Sequence, residues 1–214
     1  MVINKYLAEF MGTFILVFVG SMGILSVGGA NGAAEIIAIA LAFGLGLLAA
    51  IWVVAHVSGA HFNPAVTLAM LLEGRTSFSD AIGYWIGQFA GATVASLVVL
   101  AASSQDAVAT TMTTFTDRNT AILVEIALTA IFVWTILAVT KTGGHNAPAA
   151  IALTLVVIHI AGIPFSGASV NPARSFGPAA VANTFGNLWV YLLAPLVGAV
   201  IAFGLYRLFP ADET

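Results

Sequence analysis

Residues 58–67 read SGAHFNPAVT and residues 166–175 read SGASVNPARS. Laid on one another without gaps, Ser58-Gly59-Ala60 falls on Ser166-Gly167-Ala168. Asn63-Pro64-Ala65 then falls on Asn171-Pro172-Ala173, an offset of 108 residues in a chain of 214. The same offset places Leu47 on Leu155. A match at this spacing marks one structural unit used twice. Asn ahead of Pro also signals a helix start: Asn caps the first turn, and Pro fits there because its missing N–H would be unbonded in any case. The apolar pieces that follow are 65–72 (AVTLAMLL, ending at Glu73-Gly74-Arg75) and 173–183 (ARSFGPAAVAN). At about 1.5 Å rise per residue, each is about half the length of a membrane crossing.

Outside these segments the chain is apolar almost throughout. Hydrophobic residues make up 60% and charged residues 7%, with a mean hydropathy of +1.05; soluble domains carry about 25% charged residues. This composition excludes a disordered chain, a nucleic-acid-binding surface and most soluble enzymes, and predicts an all-α membrane protein. Full-length spans are expected at 6–27, 36–57, 81–102, 121–140, 147–164 and 188–209, with a polar stretch, 103–119, between the halves. The first is too long for a signal-peptide core and lacks a clear A-x-A site. The expected fold is six transmembrane helices plus two re-entrant half-helices in a single domain, 1–214, with repeats at 1–102 and 119–214. Three spans per half is an odd number, so the second half enters from the opposite face. Such an inverted repeat places its functional site near the midplane, on the broken helices. Lys5, Arg75, Lys141 and Arg207 fall on one face, Arg118 on the other and Arg174 within the membrane zone. The positive-inside rule then puts both termini in the cytoplasm, in a plasma (inner) membrane. The chain has no cysteine and a net charge of −3. No disulfide, thiolate metal site, cofactor or nucleic-acid partner is expected.

The repeated motif has a physical consequence. The chain should approach Asn63 extended through 57–62 and return as a short helix to the face it came from; 167–170, Asn171 and the next helix do the same from the other face. Non-helical backbone at that depth must be buried or line a wet cavity. The carbonyls of Gly59, Ala60 and His61, and of Gly167, Ala168 and Ser169, can then form a ladder of acceptors, with the Asn63 and Asn171 amides as donors. Leu16 and Phe132, each seven residues after Glu9 and Glu125, are candidates with Leu47 and Leu155 for an apolar wall. Two helix N-termini meeting at the midplane, each carrying about half an elementary charge, repel a cation there and disfavour proton hopping.

These residues and motifs, over essentially the whole chain, resemble the aquaporins, the major intrinsic proteins. The resemblance implies a right-handed helical bundle, a homotetramer with one pore per subunit, and a passive channel that moves water in single file and excludes protons and ions. It implies a constriction at Phe43, His159, Ala168 and Arg174. It also implies that Glu9 and Glu125, ionisable groups inside spans, hold the re-entrant loops by accepting their backbone N–H groups. Glycerol-passing members typically carry Gly in place of the His and Asp directly after NPAR, where this chain has His159 and Ser175. Ala168, in place of a Thr common in bacterial water channels, and Leu192, in place of Trp, keep slow passage of glycerol, urea or ammonia open as the alternative.

The remaining notable residues have plainer readings. His61 orients loop carbonyls, with no second metal ligand at a suitable spacing. His56 is a packed residue at a helix end, and His145 a solvated loop histidine. Gly83, Gly87 and Gly91 form a ladder for close helix packing. An ion-coupled transporter would need ionisable partners around a midplane site, and apart from the two glutamates only Arg174 is available. No Ser–His or paired-Asp arrangement supports an intramembrane hydrolase. The short loops give no support to an adhesive role.

Overall fold

The structure is a computed structural model, and residues 2–141 and 144–209 are described. Among them the order is α1 (Val2–Ser26), α2 (Ala33–Ser58), α3 (Pro64–Leu72), α4 (Phe78–Ala102), α5 (Gln105–Thr110), α6 (Arg118–Lys141), α7 (Ala147–Ser166), α8 (Pro172–Val181) and α9 (Leu188–Leu208). Six of these helices, α1, α2, α4, α6, α7 and α9, are long and apolar enough to cross a membrane. Large apolar side chains such as Trp52, Ile86, Leu123 and Leu153 stand exposed on their outer faces, as contact with lipid requires.

α2, α4 and α6 begin about three residues before the apolar runs do. Polar residues such as Ser79 and Asn119 therefore sit in first turns, where hydropathy does not report them. Ser77 caps α4 by accepting the Asp80 N–H at 3.2 Å. At the other end α2 and α7 run one and two residues further than their closing apolar run or proline suggests, to Ser58 and Ser166. The glycines that follow, Gly59 (φ 87°) and Gly167 (φ 75°), terminate both helices in the left-handed region, where a β-carbon would be strained. The approach to Asn63 is therefore shorter than 57–62, and it is not extended: Ala60 and Phe62 have φ of 57° and 52°, and Ala168 and Val170 repeat this with 48° and 46°. The stretch 103–119, expected as polar loop, contains α5, capped by Ser104 on the Ala107 N–H. Residues 142 and 143 of the turn carrying His145 lie outside the described residues. His56 is exposed at the end of α2 rather than packed.

The long helices alternate in direction. One face, here the terminal face, holds the start of α1 and the end of α9. Both half-helices return to the face they left, α3 to the terminal face and α8 to the opposite one. Gly83, Gly87 and Gly91 form the seam between α4 and α1: a β-carbon on Gly87 would lie 2.7 Å from the Tyr6 carbonyl oxygen. Arg75, just after α3, ties that half-helix to the bundle by donating to Thr140 Oγ1 (2.8 Å), the Leu137 carbonyl (3.2 Å) and Tyr206 Oη (3.0 Å).

Candidate functional site

Each re-entrant loop is built around one buried glutamate. Glu9 Oε1 accepts from Ser58 Oγ (2.7 Å) and the His61 N–H (2.9 Å); Oε2 accepts from the Phe62 N–H (2.7 Å) and Gln88 Nε2 (2.8 Å). Glu125 repeats the pattern with Ser166 Oγ (2.7 Å), the Ser169 N–H (2.8 Å) and the Val170 N–H (2.7 Å). Both carboxylates are fully buried. Left-handed φ at residues other than glycine costs about 1–3 kcal/mol each, and for β-branched Val170 it is a rare conformation; the carboxylate bonds offset that cost. A trans peptide points its carbonyl away from its N–H. Holding the N–H groups of 61, 62, 169 and 170 therefore turns the carbonyls of Ala60, His61, Ala168 and Ser169 away from the glutamates. Tyr84 and Tyr191 brace the same corners, donating to the carbonyls of Ser58 (2.6 Å) and Ser166 (2.8 Å).

The half-helices meet by their N-termini. Asn63 Oδ1 caps α3 through the Ala65 N–H (2.9 Å), and Asn171 Oδ1 caps α8 through the N–H groups of Ala173 (3.0 Å) and Arg174 (3.2 Å). Asn63 Nδ2 donates across the midplane to the Val170 carbonyl (2.7 Å), and Asn171 Nδ2 donates to the Phe62 carbonyl (3.0 Å). An amide has two N–H groups. One from each asparagine locks the two loops together, and both asparagines line the central cavity, so the second is available there.

Three consecutive cavities run along this axis. On the opposite face a vestibule of about 520 Å³ is lined by Gly28, Asn31, Thr116, Gly167, His159 and Arg174, among others. It narrows to about 20 Å³ where Phe43, His159 and Arg174 converge with Leu16, Leu47, Phe132, Leu155, Val170 and both asparagines. That space suits about one water at a time. Toward the terminal face it opens into about 150 Å³ lined by Gly59, Ala60, His61, Ile51, Val66 and Ile151, among others.

The narrow section is set by ring packing and one fixed cation. The Phe43 and His159 rings stack at 4.7 Å between centroids, and the Arg174 guanidinium carbon lies 4.7 Å from the Phe43 centroid. Arg174 Nη1 donates to the Thr111 carbonyl (3.1 Å), whereas its buried Nε has no partner among the described residues. His159 Nδ1 is 2.9 Å from the Leu155 carbonyl, which can only accept. The proton is therefore on Nδ1, and Nε2, buried without a partner among the described residues, is an acceptor in the neutral ring.

The structure thus brings Phe43, His159 and Arg174 to one constriction. Ala168 differs from expectation: it is fully buried and absent from the lining of the 20 Å³ section, because its methyl group is turned toward Gly162. The carbonyl-bearing residues divide among the cavities, with Gly59 and Ala60 at the terminal-face cavity, His61 at both that cavity and the narrow section, Ser169 at the narrow section and Gly167 at the vestibule. Sequence reasoning missed the carbonyls of Phe62, Val170 and Thr111, which satisfy Asn171, Asn63 and Arg174. It also missed Gln88 and the tyrosine pair. Tyr84 and Tyr191 follow Ser58 and Ser166 by 26 and 25 residues, so the gapless offset of 108 sets Tyr84 on Leu192 and hides the pair by one residue. Ser175 does not enter the narrow section; it is bonded to Thr113 Oγ1 (2.8 Å) and Ser169 Oγ (2.5 Å).

A bundle of six apolar spans around two half-helices joined at a narrow passage defines a membrane channel. The sequence model of the Major intrinsic protein family matches residues 1–206. Glycerol uptake facilitator protein-like 6 of Lactiplantibacillus plantarum is 41% identical over 220 aligned residues, 98% of this chain and 100% of its own. Aquaporin Z of Photorhabdus laumondii subsp. laumondii is 37% identical over 230, covering 99% of each. The solved aquaglyceroporin from Plasmodium falciparum superposes with a TM-score of 0.86 at 25% identity, covering 96% of both chains. The chain belongs to the Major intrinsic protein family and is an integral, multi-pass membrane channel.

Proposed function

We propose that this channel conducts water in single file down an osmotic gradient and excludes protons and ions, and that it does so as a homotetramer in the plasma (inner) membrane with both termini cytoplasmic. The observation that carries the selectivity reading is the section of about 20 Å³ that runs from Phe43, His159 and Arg174 to Asn63 and Asn171. A water molecule leaving the vestibule exchanges its neighbours for the His159 Nε2 acceptor and the Arg174 donors. Further in, the wall is apolar at Leu16, Leu47, Phe132 and Leu155. The polar stations are then the free N–H groups of Asn63 and Asn171 and the loop carbonyls of Ala60, His61 and Ser169, with Ala168 behind them. The donors face the water oxygen from the positive ends of α3 and α8. A cation meets that field and the Arg174 charge with most of its hydration removed.

A second reading, a facilitator for glycerol or another small neutral solute, is favoured by the 41% identity to a protein named for glycerol uptake. A three-carbon polyol needs several water-sized positions side by side, which the constriction does not offer. Stopped-flow light scattering on proteoliposomes separates the two. An impermeant osmolyte should shrink channel-bearing vesicles about tenfold faster than empty ones, with glycerol and urea uptake near the lipid baseline; swelling with glycerol as fast as with water would overturn the proposal. Because the chain has no cysteine, thiol-directed mercurials should leave water flux unchanged, and inhibition reversed by a thiol would contradict that expectation.

A further inference from the structure

The lumen-facing stripe of α1 runs at four-residue spacing through Gly12, Leu16, Gly20 and Ile24. Leu16 lines the narrow section and Ile24 the vestibule. Gly20 stands between them, buried on the same face, yet lines neither cavity. The ring of Phe43 lies across it: a β-carbon at position 20 would overlap the Cδ1, Cε1 and Cζ atoms of that ring. His159 and Arg174 approach the same ring at 4.7 Å. A ring lifted off α1 therefore moves toward those two residues, across the passage.

The repeat supplies an internal comparison. The shift that matches Glu9 to Glu125 matches Gly20 to Ile136, and the offset of 108 residues matches Phe43 to Ile151, His159 to Ile51 and Arg174 to Val66. All four counterparts line the terminal-face cavity, where the passage holds about 150 Å³ instead of 20 Å³. At the equivalent point Ile136 stands where α1 has Gly20 and no ring is seated among the described lining residues; the Phe62 ring packed over Gly12 lines none of the three cavities.

We infer that Gly20 is a positioning residue that sets the bore of the constriction by seating the Phe43 ring against α1. This rests on the constriction being the narrowest point of a water channel. Alanine is a better helix former than glycine, so Gly20→Ala leaves α1 intact and acts through the ring. Its osmotic water permeability should fall by about tenfold or more at equal incorporation into proteoliposomes. Phe43→Leu alone should raise the glycerol-to-water permeability ratio. Gly20→Ala/Phe43→Leu should recover about fivefold or more of the water flux lost in Gly20→Ala and show a lower glycerol-to-water ratio than Phe43→Leu, because the new methyl group then fills vacated space. If Gly20→Ala fails to assemble, the double variant against Phe43→Leu carries the test by that ratio. Unchanged water flux in assembled Gly20→Ala, or a ratio in the double variant equal to or above that of Phe43→Leu, overturns the inference. Failure of the water reading itself is separate: wild-type vesicles would then shrink no faster than empty ones.

Discussion

Replacing His159 by glycine is expected to raise glycerol permeability by about tenfold or more while water permeability stays within about twofold of wild type. His159 is 1% exposed, stacked on Phe43, and lines a section of about 20 Å³. Its removal takes away a whole ring at the tightest point and leaves Arg174 with one apolar neighbour, Phe43. A polyol can then lay its carbon backbone along the Phe43 ring while its hydroxyls meet the Arg174 donors. Water already passed through the smaller hole, so its rate gains little. The discrimination at stake is steric, and tenfold corresponds to about 1.4 kcal/mol, within reach of one lost side chain. Stopped-flow uptake of glycerol under an inward gradient reads the outcome. Glycerol flux that stays at the lipid baseline in assembled His159→Gly protein would show that the narrow step lies elsewhere.

Loss of Glu125 is expected to damage assembly severely. Its carboxyl oxygens accept three bonds, from Ser166 Oγ and the N–H groups of Ser169 and Val170. Glu125→Ala leaves these buried donors without acceptors, at about 1–3 kcal/mol each, and releases Ala168 and Val170 from φ values they adopt only under restraint. Folded proteins hold a margin of about 5–15 kcal/mol, so a large part of it goes. The expected result is a several-fold lower yield of monodisperse protein and a lower unfolding temperature. Glu125→Gln, which keeps one acceptor oxygen, should fall between. Normal yield and thermal stability with abolished water flux would instead assign Glu125 to the permeation path.

The doubled Asn-Pro-Ala segment and the six apolar runs made the architecture legible, because a half-length helix opened by Asn-Pro has few places to go in a membrane. Phe43, His159 and Arg174 were legible through resemblance alone; residues 116 and 131 positions apart along the chain carry no local signal of meeting. Glu9 and Glu125 announced themselves as charges inside apolar runs. The left-handed turns at Ala60, Phe62, Ala168 and Val170 did not, since alanine, phenylalanine and valine have no local preference for them; they are imposed by the buried carboxylates. The Thr111 carbonyl was invisible for a related reason. A backbone acceptor has no residue-type signature, and the stretch that carries it read as polar linker. The displacement of Ala168 from the lumen followed from its partner Gly162, whose missing side chain makes room on the far side of the loop.

The most direct test encloses a pH-sensitive dye in proteoliposomes and follows osmotic shrinkage and interior pH on the same preparation. Helix N-termini facing each other across a passage one water wide predict water flux about tenfold above empty vesicles with a proton leak no greater than theirs. A proton leak that grows in proportion to water flux as more channel is incorporated would contradict it.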